Sequence, residues 1–113
     1  MNFNELREKI KTEEYRDFHK NKWGGADTAI SVEYNDKWAN DEKIFYYQTK
    51  NAAAFIWLIE ELKSIVCVDY ISKYNYYLYL METIKQADSE CINIKEALNI
   101  VLDKIEEEEN HYA

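Results

Sequence analysis

The chain contains no proline, two glycines and two cysteines, and it has no long apolar run. A transmembrane helix needs about 20 consecutive apolar residues, so none is predicted. The N-terminal stretch MNFNELREKIK is charged from the start and has no apolar signal core. We therefore expect a complete, cytoplasmic protein, with 1–113 forming a single α+β domain.

Residues suited to metal binding and catalysis are equally scarce. Cys67 and Cys91 are the only cysteines, and His19 and His111 are the only histidines. Their spacing matches no zinc site, and in a reducing cytosol the thiols are expected to be small buried apolar groups. The chain has no phosphate-binding glycine loop, GxSxG, HExxH or EF-hand motif. We expect no enzyme, no cofactor and no metal.

Positive charge is limited, because 14 basic residues stand against 22 acidic ones and the net charge is −8. Only Arg7 and Arg16 are arginines. A basic groove for nucleic acid is therefore not expected. An acidic surface is suited instead to a basic protein partner.

Hydrophobic periodicity predicts a helix, a hairpin and then three helices. Asn2 and Glu5 have the spacing of a capping box for a first helix that ends between Glu14 and Lys20. Alternating patterns over 29–34 and 43–49 predict an antiparallel hairpin with 35–42 as its connection.

The three helices are predicted over 51–66, over 69–87 and from Asn93 onward. Asn51 and Asn93 are the expected N-caps. The segment 66–71 fits the start of a helix or a short strand, and the pattern does not choose between them. The apolar stripes expected to face the core comprise Phe3, Leu6, Ile10, Ile30, Val32, Tyr34, Phe55, Leu58, Ile59, Leu62, Val66, Tyr70, Tyr74, Tyr77, Met81, Ile84, Ile94, Leu98, Val101, Leu102 and Ile105.

Acidic residues are clustered in the sequence, and the clusters are candidate partner-binding sites. The candidates are Asp36, Asp41 and Glu42 in the hairpin connection, Glu60 and Glu61 in the next helix, and Glu106 and Glu107 near the end. Glu106 to Glu109 oppose the helix dipole by about 0.3–1 kcal/mol each. A frayed tail after Ile105 explains this run most simply, and a docking surface is the alternative.

Several aromatic residues lie off the predicted apolar stripes. Trp57, Tyr76 and Tyr79 fall on the opposite faces of their helices, as does Ile100. Helices buried on two sides, in a core or in a homodimer, would explain this placement. An exposed aromatic set beside carboxylates, suited to binding a basic partner, is the alternative.

Two stretches of the first half resemble a known family. The stretch MNFNELREKIKTEEY, 1–15, followed by AISVEYND, 29–36, and an acidic turn resembles the small acidic phage anti-CRISPR inhibitors of type II Cas nucleases. The resemblance covers residues 1–50 and rests on element order and composition, and 51–113 has no counterpart in it. It implies a non-enzymatic inhibitor that acts in a bacterial host cell. The carboxylates of this inhibitor would imitate DNA phosphates and occupy the DNA-binding cleft of a Cas effector. The candidates would be Asp36, Asp41, Glu42, Glu60 and Glu61.

Three functions are therefore expected, in order of preference. The first is an acidic inhibitor that acts as a DNA mimic on a Cas nuclease or its guide RNA complex. The second is an immunity or antitoxin protein that neutralises a toxic nuclease, and gene neighbourhood separates it from the first. The third is a homodimeric interaction protein whose contact face comprises Trp57, Tyr76, Tyr79 and Ile100.

Overall fold

Five helices and one β-hairpin form the described part of the chain, which comprises 1–22, 28–36, 41–66 and 73–112 in a computed structural model. At 19–22, 35–36, 41–42 and 110–112 only the backbone is described. The elements are α1 (Phe3–Lys11), α2 (Tyr15–Lys22), β1 (Ala29–Asp36), β2 (Asp41–Gln48), α3 (Ala52–Leu62), α4 (Lys73–Glu90) and α5 (Ile94–Tyr112). The predicted α+β order, with an N-terminal helix, a hairpin and three further helices, is confirmed.

The first helix begins as predicted but ends earlier. Asn2 Oδ1 accepts a hydrogen bond from the Glu5 backbone N–H at 2.8 Å, and Asn2 Nδ2 donates to Glu5 Oε1 at 3.1 Å. This is the predicted capping box. The prediction of one continuous helix past Glu14 is wrong, because Glu13 adopts a left-handed φ of 61°. The chain therefore breaks between α1 and α2.

Contacts of the Glu13 side chain accompany this unusual backbone conformation. Its carboxylate lies 2.9 Å from Lys95 Nζ on α5 and 2.6 Å from Arg16 Nη1 on α2. The hydrogen bond from Lys95 lowers the pKa of Glu13. The break thus attaches the start of α2 to the start of α5, a long-range contact that no local pattern encodes.

The hairpin forms an unbroken antiparallel ladder from Ala29↔Gln48 to Asp36↔Asp41. Ile30 and Tyr34 are buried and Val32 is partly buried, so the predicted inner face of β1 is confirmed. The strands are longer than predicted. Asp36, Asp41 and Glu42 belong to the ladder instead of the connection, because pairing continues to the Asp36↔Asp41 rung.

Helices α3 and α4 pack on the hairpin, α3 against β1 and α4 mainly against β2. Tyr74 of α4 lies with its ring centroid 5.5 Å from that of Phe45 and 5.7 Å from that of Tyr34. Helix α5 packs against α4, α1 and α3 and thereby closes the core. The predicted stripes of α3 and α5 are buried, apart from a partly buried Ile94.

The predicted N-caps of the later helices have different outcomes. Asn93 Oδ1 accepts from the Lys95 backbone N–H at 2.8 Å, which confirms the cap of α5. Asn51 precedes α3 but makes no side-chain cap hydrogen bond. Its amide donates to Asp88 Oδ1 at 2.8 Å instead, because α4 brings a carboxylate within reach.

The open alternative at 66–71 concerns residues that lie outside the described part, except for Val66, which is buried. Tyr70 and Cys67 also lie outside it. Tyr77, Met81 and Ile84 of α4 are buried as predicted, and Tyr74 is partly buried. Among the described helices, none has the length and apolarity to cross a membrane.

Candidate partner-binding surface

The glutamate run at the end of the chain is helical, because α5 continues to Tyr112. The prediction of fraying after Ile105 is therefore wrong. Arg7 of α1 explains part of this order, since its guanidinium donates to Glu106 Oε2 at 3.0 Å and to Asp103 Oδ1 at 2.7 Å. These two hydrogen bonds raise the pKa of Arg7. Glu106 is thus a structural residue that holds α5 to α1.

The next three glutamates are distributed around α5. In the described structure Glu107, Glu108 and Glu109 form no ion pair. Consecutive helical residues point about 100° apart, so Glu107 and Glu108 turn away from the α1 side, whereas Glu109 lies within about 60° of the direction of Glu106. These carboxylates are close enough to α4 to affect its tyrosines.

The pKa values of Tyr76 and Tyr79 of α4 are affected by these carboxylates. Burial raises the pKa of Tyr79, and the negative charges of Glu108 and Glu107 raise it further. Burial also raises the pKa of Tyr76, with smaller contributions from Tyr77 and Glu109. Helices α4 and α5 pack against each other and are joined only by 91–93, so the start of α4 lies beside the end of α5. We call Tyr76, Tyr79, Glu107, Glu108 and Glu109 the α4/α5 surface.

This arrangement joins two features that were separate in the sequence. Tyr76 and Tyr79 are partly buried and pack against the core. Carboxylates on a helical backbone lie next to these rings. Such a surface offers an apolar anchor and a charged rim, which are the two components of a specific protein interface.

The aromatic set predicted from the helical wheels does not form one exposed face. Trp57 is only 4% exposed, and its ring centroid lies 5.9 Å from that of Tyr15. The expectation that Trp57 is an exposed contact residue is wrong, because α2 packs over the side of α3 that a single-helix wheel leaves open. Ile100 is partly buried against the core.

Glu60 and Glu61 border a shallow groove of about 510 Å³. Both carboxylates already have lysine partners. Lys63 Nζ lies 3.0 Å from Glu60 Oε1, and Lys9 Nζ lies 3.3 Å from Glu61 Oε2. The groove is lined by Met1, Glu14, Phe18, Trp57, Glu60, Glu61 and Ser64. These internal lysines make the pair a weaker candidate for docking than the unpaired glutamates of α5.

The hairpin acids meet at one end of the ladder. Asp36 and Asp41 are register partners, and Glu42 pairs with Asn35 on the adjacent rung. Opposite Cα atoms in an antiparallel pair lie about 4.5–5.5 Å apart, so the three acidic positions are close together. Their side chains lie outside the described part, and their part in binding stays a prediction.

The polar cluster around Asp88 was not predicted from the sequence. Asp88 accepts hydrogen bonds from Tyr47 Oη at 2.6 Å, Thr49 Oγ1 at 2.8 Å and Asn51 Nδ2 at 2.8 Å. These donors are separated from Asp88 by 37–41 residues. Nothing in their local sequence indicates the contact. The cluster joins the hairpin to α4, and its carboxylate already has three donors.

Within the described ranges, no group of three or more His, Cys, Asp or Glu side chains is placed so that it could hold a metal ion. Cys91 is a free, partly exposed thiol, so the prediction that it is buried is wrong. It follows the last residue of α4, where less of the chain surrounds it than in the core. His19 and His111 have side chains outside the described part.

Comparison with known proteins gave no match to any family model, curated protein or solved structure. The resemblance to the anti-CRISPR inhibitors therefore rests on element order and composition alone.

Proposed function

We propose that this protein is a non-enzymatic inhibitor that docks its α4/α5 surface onto a basic, nucleic-acid-handling protein. The observation that carries the proposal is the placement of three unpaired glutamates on an ordered helix end beside Tyr76 and Tyr79. Within this class, the DNA-binding cleft of a Cas effector is the specific target we propose, and the protein would act there as a DNA mimic.

The energetics of α5 support use of these charges in binding. Glu109 lies in the last turn of α5, where a carboxylate opposes the helix dipole by about 0.3–1 kcal/mol at low ionic strength, and it lies one turn after Glu106, whose like charge repels it. Arg7 pairs with Glu106, whereas Glu107, Glu108 and Glu109 form no ion pair within the described part of the chain. A partner that supplies arginine or lysine side chains would complete these interactions in the complex.

The chemistry of recognition follows from the geometry of carboxylates. Arginines in a nucleic-acid cleft bind phosphate oxygens in a forked arrangement, and a carboxylate offers the same paired acceptors. A helical backbone fixes the Cβ positions of successive glutamates, so docking orders only their side chains, at about 0.5–1.5 kcal/mol each. Tyr76 and Tyr79 would add apolar contact at the centre of the interface.

Affinity capture tests the proposal. The tagged protein is incubated with lysate of a bacterium that expresses a type II Cas nuclease and its guide RNA. The resin is washed at about 0.1 M and then about 0.5 M salt, which shortens the screening length about twofold. We expect a basic nuclease or its guide complex to be retained at low salt and released at high salt.

Two matched variants make the test specific for the surface. The first carries Glu107→Gln with Glu108→Gln, and the control carries Glu33→Gln with Glu96→Gln, at exposed positions away from this surface. Both change the net charge by the same amount. Only the first should lose the captured partner. Equal retention by the two variants, or no capture of a basic protein by the unaltered chain, would overturn the proposal.

A captured toxic nuclease in place of a Cas effector would keep the acidic inhibitor and reject the Cas target. The protein would then belong to the immunity class. Since such a toxin is usually encoded beside its inhibitor, the neighbouring genes provide an independent check.

A further inference from the structure

The hairpin presents one of its faces to solvent. Phe45 and Tyr47 of β2 pack against the core, whereas Ile44 and Tyr46 between them are 60% and 58% exposed. Their register partners on β1, Glu33 and Ser31, are exposed as well. Because apolar side chains of this size rarely stand beside each other on an open sheet, the outer face of β2 is a candidate contact surface.

The edge of β2 also carries unpaired backbone groups. The Thr49 N–H donates to the Thr28 carbonyl at 2.9 Å. These two residues continue the register beyond Ala29↔Gln48, so they form a hydrogen-bonded rung. Hydrogen-bonded and non-hydrogen-bonded rungs alternate in an antiparallel pair. The Ile44↔Glu33 and Tyr46↔Ser31 rungs are therefore non-hydrogen-bonded. The N–H and C=O groups of Ile44 and Tyr46 point away from β1, toward the edge of the two-stranded sheet.

We propose that a second copy of this chain adds its own β2 to this edge, antiparallel, to form a continuous four-stranded sheet. The two-fold axis passes through Phe45, so Ile44 lies opposite the partner subunit's Tyr46. In this register both residues direct their backbone groups at each other, as a hydrogen-bonded rung requires. The proposal is independent of the α4/α5 surface.

Side-chain pairing favours this register. An aromatic residue opposite a β-branched one is a favourable cross-strand pair, and the two-fold axis creates two such pairs side by side. Glu42 takes a position opposite the partner subunit's Gln48, and Lys43 takes one opposite the partner subunit's Tyr47. No acidic position faces another, so the edge of an otherwise acidic chain is complementary to itself.

The edge of β1 is less suited to self-pairing. A two-fold axis through Glu33 would place this carboxylate opposite its own copy, which is destabilising. An axis through Val32 would pair Ser31 with the partner subunit's Glu33 and would bring no apolar side chains together on the outer face. Pairing through β2 therefore buries more apolar surface without opposing like charges.

Salt distinguishes this dimer from the inhibitor complex. Each copy carries a net charge of −8, so association of two copies is opposed by long-range repulsion. Screening weakens this repulsion, and the dimer should therefore become tighter at high salt. The complex with a basic partner should become weaker under the same conditions, so the two proposals can fail separately.

Sedimentation combined with residue-resolved amide hydrogen exchange tests the dimer on the unaltered protein. We expect a dimer at high concentration, in which the amides of Ile44 and Tyr46 exchange at least about tenfold more slowly than in dilute solution. The amides of Ser31 and Glu33 on the other edge should not change. A monomer at about 1 mM, where a complex of about −4 kcal/mol would be substantially formed, overturns the proposal. Protection at Ser31 and Glu33 instead overturns it too.

A matched pair of variants provides the second test. Tyr46→Lys places a charge in the proposed interface, and Ser31→Lys places the same charge at its register partner on the same outer face. Both side chains are exposed, so neither substitution disturbs the core. We expect Tyr46→Lys to be monomeric and Ser31→Lys to remain dimeric. A dimer that tolerates Tyr46→Lys contradicts the proposed edge.

Discussion

Tyr47 Oη lies 2.6 Å from Asp88 Oδ2, and this hydrogen bond joins β2 to α4. Thr49 and Asn51, which follow β2, donate to the same carboxylate at 2.8 Å. A two-stranded hairpin is marginally stable by itself, so it needs attachment to the helices. Asp88 supplies a polar attachment at one end of the hairpin, and Phe45 and Tyr74 supply an apolar one along its inner face.

Replacement of Asp88 should therefore destabilise the fold. We expect Asp88→Asn to lower the free energy of unfolding by about 1.5–3 kcal/mol, the usual contribution of hydrogen bonds to a charged group. Tyr47→Phe should cost less, because Thr49 and Asn51 would still bind the carboxylate. Urea unfolding measures both, with Glu82→Gln on an exposed site of the same helix as the control. A stability of Asp88→Asn within about 0.5 kcal/mol of the unaltered protein would contradict this role.

The same contact predicts a loss of stability in alkaline solution. The hydrogen bond to Asp88, with burial and the carboxylate charge, raises the pKa of Tyr47 to about 12 from its ordinary 10.0. The protonated phenol is thus favoured in the folded state. Its contribution is fully present below about pH 10 and is lost as pH rises toward about 12.

Comparison with Tyr47→Phe isolates this effect from the other tyrosines and the lysines. The difference in unfolding free energy between the two proteins should be constant up to about pH 10 and should then shrink. Unfolding in urea at several pH values measures this difference. A difference that stays constant through alkaline pH would show that the phenol proton is not stabilised by Asp88.

Trp57 should behave as a core residue. We expect Trp57→Ala to cost about 3–5 kcal/mol of stability, because it removes a large buried ring that packs on Tyr15. Glu60→Ala, one helical turn further on at an exposed position, should change stability by no more than about 0.5 kcal/mol. Thermal or urea unfolding distinguishes them. If Trp57→Ala were as stable as the unaltered protein, the ring would be available for partner contact after all.

The unpaired glutamates should be unfavourable for stability. Glu107→Lys should stabilise the fold by about 0.2–0.5 kcal/mol at low salt, because Glu107 lies one helical turn after Asp103 and the two carboxylates repel each other. Glu108→Lys should have a smaller effect, because Glu108 lies one helical turn after Lys104. The substitution at Glu108 should also lower the pKa of Tyr79, since that carboxylate contributes to raising it. Melting temperature and tyrosine absorbance at alkaline pH measure the two effects.

Glu106→Lys is the informative contrast in this series. It should destabilise the protein, because it removes a partner of Arg7 and brings two positive charges together. Stabilisation by all three substitutions would mean that the contact between Arg7 and Glu106 adds nothing to the fold. A decrease in stability for Glu107→Lys and Glu108→Lys would indicate partners for these carboxylates within the chain.

Much of the fold follows from local patterns. The alternation in 29–34 and 43–49 predicts the hairpin, and the inner positions Ile30 and Tyr34 are buried as expected. Asn2 and Asn93 cap their helices because capping depends on residues within one turn. Asn51 has the same local signal, but a carboxylate distant in sequence binds its side chain.

The candidate surface was predictable only in part. Tyr76 and Tyr79 were identified as off-stripe aromatics, and the glutamate run was identified by its conflict with the helix dipole. Their proximity depends on how α4 packs against α5, which periodicity within one helix does not encode. The same limitation explains why the burial of Trp57 was not predicted. A helical wheel for α3 contains no information about the packing of α2 against it.

The classes of element, their order, the apolar faces and the net acidity follow from side-chain type and from contacts within a few residues, and so does the pair between Glu60 and Lys63 on one turn. Long-range packing sets the other charge contacts. It pairs Glu106 with Arg7 and Glu61 with Lys9, and it places Glu107 to Glu109 beside the tyrosines of α4. These outcomes depend on the packing of helices distant in sequence, and electrostatic interactions are short enough in range to be set only by that packing.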